Sequence, residues 1–151
     1  MESQQAPDTK SHRLTIKNEV EELSKLPEFV DTVCEEAGVD MALVASINLA
    51  LEEAATNVVL YAYQGGKGTV DIDASYTPQY IKFIISDSGI PFDPTQQEDA
   101  DITLSAEERP IGGLGIYLVR KIMDTVSYER VDGHNILTLI KDLVDSNSPI
   151  S

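Results

Sequence analysis

Three stretches of this chain place chemistry-bearing residues at spacings that suggest a site. The first is Ile111-Gly112-Gly113-Leu114-Gly115-Ile116-Tyr117-Leu118-Val119, with three glycines in four positions. Glycine lets a backbone approach a ligand closely. The segment from Ile116 to Met123 is helix-compatible, and a helix N-terminus offers unpaired N–H groups and a positive dipole end. Together they read as a phosphate cradle, although a plain turn has the same composition. The second stretch is Leu51-Glu52-Glu53-Ala54-Ala55-Thr56-Asn57. On a helix, residues i and i+4 share a face, so Glu53 neighbours Asn57. The amide oxygen suits Mg²⁺, and the carboxylate could orient or deprotonate an attacking hydroxyl. Glu52 with Thr56 is the competing pair, and a solvated Glu beside a surface Asn is the ordinary alternative. The third stretch is Ile84-Ile85-Ser86-Asp87-Ser88-Gly89-Ile90-Pro91-Phe92-Asp93-Pro94. An Asp ending an apolar strand is either a turn-forming residue or a carboxylate aimed into a pocket. Ionised, it only accepts hydrogen bonds, which suits an exocyclic amino group such as that of adenine.

These residues need a scaffold, and the composition bounds it. A chain of 151 residues with 42% hydrophobic content suits one domain with one core. The formal net charge is −15, from 11 Lys plus Arg against 26 Asp plus Glu. Nucleic acid and anionic membranes call for a basic face, so neither is an expected partner. Phosphates remain accessible through backbone N–H groups, Mg²⁺ and a few cations. The acidity either aids solubility or matches a basic protein partner. The single Cys34 cannot form an intramolecular disulfide and reads as a packing residue. No signal-peptide pattern and no apolar run of membrane-spanning length is visible, so a cytoplasmic location is expected. His12 and His134 have no ligand cluster nearby in sequence.

The element pattern is strand, helices, two strands, loop, helix, two strands. Residues 1–12 read as a flexible tail and Arg13 to Lys17 as a strand. Glu19 to Ala37 is helix-compatible with a break at Pro27, and Gly38 ends it. Asp40 can cap a helix from Met41 to Tyr63, whose stripe is Val44, Ile47, Leu51, Ala54 and Val58. Thr69 to Tyr76 and Gln79 to Ser86 form a hairpin. Residues 87–111 are irregular and read as a functional loop. A helix from Gly115 to Asp124 precedes a final pair, Val126 to Val131 and Asn135 to Leu143, turning at Asp132-Gly133. Residues 145–151 read as a second tail. The expected fold is an α+β two-layer sandwich, with a mixed, mostly antiparallel sheet and helices on one face. A parallel dinucleotide-binding sheet fits poorly, because the glycine run does not follow a strand.

Taken in order, the motifs resemble the GHKL (Bergerat-fold) ATP-binding superfamily, shared by histidine kinases, the gyrase B subunit and MutL. Within it the similarity is to the anti-sigma-factor serine protein kinase branch, the RsbW and SpoIIAB type. EEAATN resembles that family's N-box, DSGIPFDP its adenine-binding glycine box, and GGLGIYLVRKIMD its second glycine box. NILTLIK resembles the closing strand, and the likeness covers roughly residues 13–142. It implies a single ATP-binding kinase domain over residues 13–144, with residues 94–111 as the ATP lid. It also implies a role for each matching residue. Asn57 would coordinate Mg²⁺ and Glu53 would be the general base toward a serine hydroxyl. Asp87 would accept from adenine N6, with Gly89 shaping the turn. Gly112, Gly113, Leu114 and Gly115 would meet the phosphates, and Thr138 would stand near the adenine end.

Two departures bear on that reading. Ile90-Pro91 replaces a second glycine found in many superfamily members, a mark of the branch. The lid carries Glu98, Asp99, Asp101, Glu107 and Glu108, with Arg109 as its single cation. Arg109 either reaches the γ-phosphate or pairs with Glu107 or Glu108. The resemblance implies an ATP- and Mg²⁺-dependent protein-serine kinase and anti-sigma factor. Its partners would be a sigma factor and an anti-anti-sigma (STAS-like) protein, and it would form a homodimer. The acidic lid motivates an alternative, a nucleotide-gated protein-binding module with little kinase activity. A detached histidine-kinase-like catalytic domain fits the motif spacing less well.

Overall fold

The computed structural model describes residues 10–96 and 115–143. Strand β1 runs over Lys10–Lys17, followed by a short 3₁₀ helix at Val20–Lys25 and then helices α1 (Leu26–Ala37) and α2 (Met41–Tyr61). Strands β2 (Thr69–Tyr76) and β3 (Tyr80–Asp87) form a hairpin. Helix α3 (Gly115–Ile122) leads into β4 (Thr125–Val131) and β5 (His134–Asp142).

The strands make one sheet in the order β1-β2-β3-β5-β4. All four pairings among the described residues are antiparallel, so no mixed pairing is present there. β5 enters between β3 and β4, which sets Asp87 opposite Asn135. Side chains alternate across a strand. Ile81, Phe83, Ile85 and Asp87 of β3 therefore face the helices, as do Asn135, Leu137 and Leu139 of β5, and all are buried. The opposite face is polar along β1 and β2, where Arg13 bonds Asp73 at 2.7 Å and Thr15 bonds Asp71 at 2.6 Å.

The helices cover the inner face. Pro27 stands in the first turn of α1, where its missing N–H costs nothing, and the chain breaks from 3₁₀ to α geometry just before it. Leu26, Val30, Val33 and Cys34 point α1 into the core. Burial pushes the Cys34 thiol up to about 11, with Asp31 adding to the effect. That thiol is an inert packing group. Asp40 stands at the N-cap of α2, yet its side chain makes no capping hydrogen bond. Helix α2 ends at Tyr61, two residues short of the expected Tyr63, and β1 starts three residues before the expected Arg13.

Burial on α2 is broader than one stripe, because Ile47, Ala50, Leu51, Ala54, Ala55, Val58 and Val59 are all covered. This helix packs against α1, α3 and the sheet. Contrary to the sequence expectation, it is long and apolar enough to cross a membrane by length and composition, with 44% of the relevant window buried inside the protein. Its place in the core accounts for that composition. The turn Asp132-Gly133 has φ of 51° and 81°, the paired left-handed conformation of a tight hairpin. It fixes the register of β4 against β5, which sets Asn135 opposite Arg130.

Leu51 is fully buried at the centre of α2. Truncation to Ala is expected to cost about 2–5 kcal/mol, read from urea denaturation midpoints at unchanged m-value.

Candidate functional site

Helix α2 presents its polar residues unequally. Asn57 is 5% exposed and its carboxamide has no hydrogen-bond partner among the described residues. A buried amide without a partner is costly, so this one has capacity for a partner beyond the described residues. Glu53, one turn earlier on the same face, is half-buried. Its carboxyl is held above the ordinary glutamate value, first by burial and then by the charge of Glu52. Glu52 itself is exposed, and the Thr56 hydroxyl is spent on the Glu52 carbonyl at 2.6 Å. The geometry thus favours Glu53 with Asn57 over Glu52 with Thr56.

Asp87 ends β3 at 5% exposure. Its Oδ1 accepts from the Gly89 N–H at 2.8 Å and from the Asn135 Nδ2 at 2.9 Å. Its Oδ2 receives no hydrogen bond from the described residues. A nearly buried carboxylate oxygen with a free lone pair is a ready acceptor for an amino group.

The loop after Asp87 is seated on the end of α2. The Ile90 N–H donates to the Ala62 carbonyl at 2.8 Å. A Cβ at Gly89 would lie 2.1 Å from that same carbonyl oxygen. Gly89 is therefore required by close approach to helix backbone. The Phe92 ring lies against Tyr61, with centroids 5.9 Å apart. Tyr61 is one turn beyond Asn57, so this contact joins the two motifs. Beyond it, Asp93 caps a short turn at Pro94–Gln96 by accepting from the Thr95 N–H at 2.9 Å. Arg120 of α3 donates to the Thr95 carbonyl.

The expectation for Thr138 does not hold. Thr138 pairs with Ile84 on the sheet face opposite Asp87, because strand alternation turns it away from the helices. Asn135 takes the position facing Asp87. Sequence reasoning passed over it, and the signal was a polar residue at the start of an otherwise apolar strand face. Gly115 is the first residue of α3, while Arg109, Gly112, Gly113 and Leu114 lie outside the described residues, as does the lid beyond Gln96. The two histidines are bound locally: His12 to Glu36 at 2.8 Å and His134 to the Ser88 hydroxyl at 3.0 Å. Among the described residues no group of three His, Cys, Asp or Glu could hold a metal. A Mg²⁺ ion at Asn57 would thus need phosphate and water oxygens for its remaining positions, its usual habit at nucleotide sites.

A sheet covered on one face by helices, with acceptors at the end of β3 and on the facing helix, defines a nucleotide-binding class of domain. Residues 16–141 match the histidine kinase-like ATPase domain family, and the chain belongs to that family. Its sequence is similar to the serine/threonine-protein kinase BtrW of Bordetella bronchiseptica, 33% identical over 95 residues, which cover 62% of this chain and 67% of that kinase. It is also similar to the serine-protein kinase RsbW of Bacillus cereus, 28% identical over 98 residues covering 62% of this chain and 61% of that protein. The matched stretch thus spans about two thirds or less of these relatives' length. A histidine kinase domain from the Erythrobacter litoralis EL346 blue-light activated histidine kinase shares the fold. Its TM-score is 0.51 at 17% identity, over 80% of this chain and 60% of that one.

Gly89→Ala should lower stability by about 1–3 kcal/mol, since the added Cβ meets rigid backbone rather than a side chain that can move. Thermal melts of the two proteins check this, and an unchanged Tm would mean the loop is not seated on Ala62.

Proposed function

We propose that this protein is an ATP-dependent protein-serine kinase that also binds a sigma factor and phosphorylates an anti-anti-sigma (STAS-like) partner. The observation that carries the reading is the pairing of Asn57 with Glu53. A buried carboxamide without a partner among the described residues stands one helical turn from a half-buried carboxylate of raised pKa. The free Oδ2 of Asp87 supports an adenine base, and the names of the similar kinases support serine as the acceptor.

The residue roles follow from their chemistry. Asp87 receives the adenine amino group. Asn57 offers its amide oxygen to Mg²⁺, which when bound neutralises phosphate charge. Glu53 accepts the serine hydroxyl proton as the serine oxygen bonds to the γ-phosphorus. The bond from that phosphorus to the β–γ bridging oxygen breaks, and ADP leaves with the electron pair. Gly112, Gly113, Leu114 and Gly115 are assigned to the phosphates by the likeness of GGLGIYLVRKIMD to the family's second glycine box, and Arg109 to the γ-phosphate. Protein partners, rather than nucleic acid or membrane, suit the net charge of −15.

Calorimetric titration with ATP, with and without Mg²⁺, tests the pocket. Asp87→Asn is expected to weaken Mg²⁺-dependent binding about ten- to hundredfold, the worth of a charge-assisted hydrogen bond. No binding by the wild type would leave a partner-binding scaffold as the better reading. Labelled ATP with a candidate antagonist separates kinase from nucleotide-gated module, which the acidic lid would suit. Glu53→Gln should slow serine labelling about 10²–10⁴-fold while ATP binding persists.

The pH dependence has a definite sign. Glu53 is competent only when ionised, so kcat/KM should rise with pH through its raised pKa and then level. Glu52→Gln removes a like charge and should move that acid limb to lower pH. The limb should stay above the ordinary glutamate range, because burial is the larger cause. A limb that does not respond to Glu52→Gln would remove Glu53 from the role of base.

A further inference from the structure

Asn135 is 4% exposed, and its carboxamide is fully engaged. Nδ2 donates to Asp87 Oδ1 at 2.9 Å and to the Ile90 carbonyl at 2.7 Å. Oδ1 accepts from the Phe92 N–H at 3.1 Å and from the Tyr128 hydroxyl. Two donors and two lone pairs are the whole capacity of the group. One side chain thereby ties β3, β4, β5 and the loop after β3.

We infer that Asn135 is the positioning residue that holds Asp87 as a fixed acceptor and so sets the preference for adenine over guanine. The inference rests on the nucleotide reading above and names what decides the base. Asn135 and the Gly89 N–H both donate to one carboxylate oxygen, which fixes the carboxylate plane. The other oxygen is left as a pure acceptor. Adenine offers an amino donor where guanine offers a carbonyl, so a fixed acceptor welcomes one and repels the other. A carboxylate free to turn would lose its alignment with the amino group, and the discrimination would fade. Packing alone does not call for an amide here. Leu137 and Leu139 continue the same buried face with hydrocarbon.

The test is calorimetric titration of wild type, Asn135→Asp and Tyr128→Phe with ATP and with GTP in Mg²⁺, well below the Tm of each protein. Asn135→Asp keeps the shape but removes both donors. It is expected to weaken ATP about tenfold and GTP by no more than about twofold, so the ATP-to-GTP preference falls. Tyr128→Phe removes only the hydroxyl bond to Asn135 Oδ1 and should shift the same ratio about two- to threefold. It decides alone if Asn135→Asp does not fold. An unchanged ratio, or an equal loss for both nucleotides, makes Asn135 a structural residue and overturns the inference. A wild type that binds neither nucleotide overturns the nucleotide reading beneath it.

Discussion

The carbonyl of Ala62 is the point on which the site depends. The last carbonyls of a helix have no partner within it, and one buried unsatisfied is destabilising. Here the Ile90 N–H supplies that partner, and only a glycine at position 89 lets the loop come close enough. The contact sets the loop after β3 against the end of α2. Asp87 is placed from one side of that joint and Asn57 from the other. The Tyr61–Phe92 contact and the bonds of Asn135 brace it. A shift of the joint would move the two candidate ligand groups relative to each other.

Most of this was legible in the sequence for a simple reason. Apolar spacing reports burial, and burial dominates where elements form. The hairpins and the long central helix follow from it, and the break at Pro27 follows from proline's missing N–H. Element ends were less legible, because capping at Ala62 and the earlier start of β1 at Lys10 depend on tertiary partners. Asp87 and Asn57 stood out because polar residues interrupt apolar runs. Asn135 did the same, but its meaning needed the strand order. β5 enters between β3 and β4, and only then does position 135 face position 87. Thr138 was placed near the adenine end by the family resemblance, and strand alternation turns it to the other face.

The charge balance has its own consequence for the chemistry. A chain with net charge −15 is a poor electrostatic host for a polyphosphate. On the proposed reading, the groups it would offer are mostly neutral or fixed dipoles: a carboxamide at Asn57 and backbone N–H groups at the start of α3. Such groups act at short range and are little affected by the distant field or by salt. Arg120 and Arg130 lie near the loop, and each is engaged with a backbone carbonyl there, of Thr95 and Gly89.

The strand order also bears on how the chain is made. β1, β2 and β3 are complete by residue 87, and the helix bearing Glu53 and Asn57 lies between β1 and β2. Yet the partner that steadies Asp87 is 48 residues further on, in the last strand. A growing chain therefore holds both carboxylates long before it has a pocket. Long-range pairings of this kind form late. A ligand recognised through Asp87 can stabilise only the finished domain, so its binding rewards completion of the fold and not its nucleation.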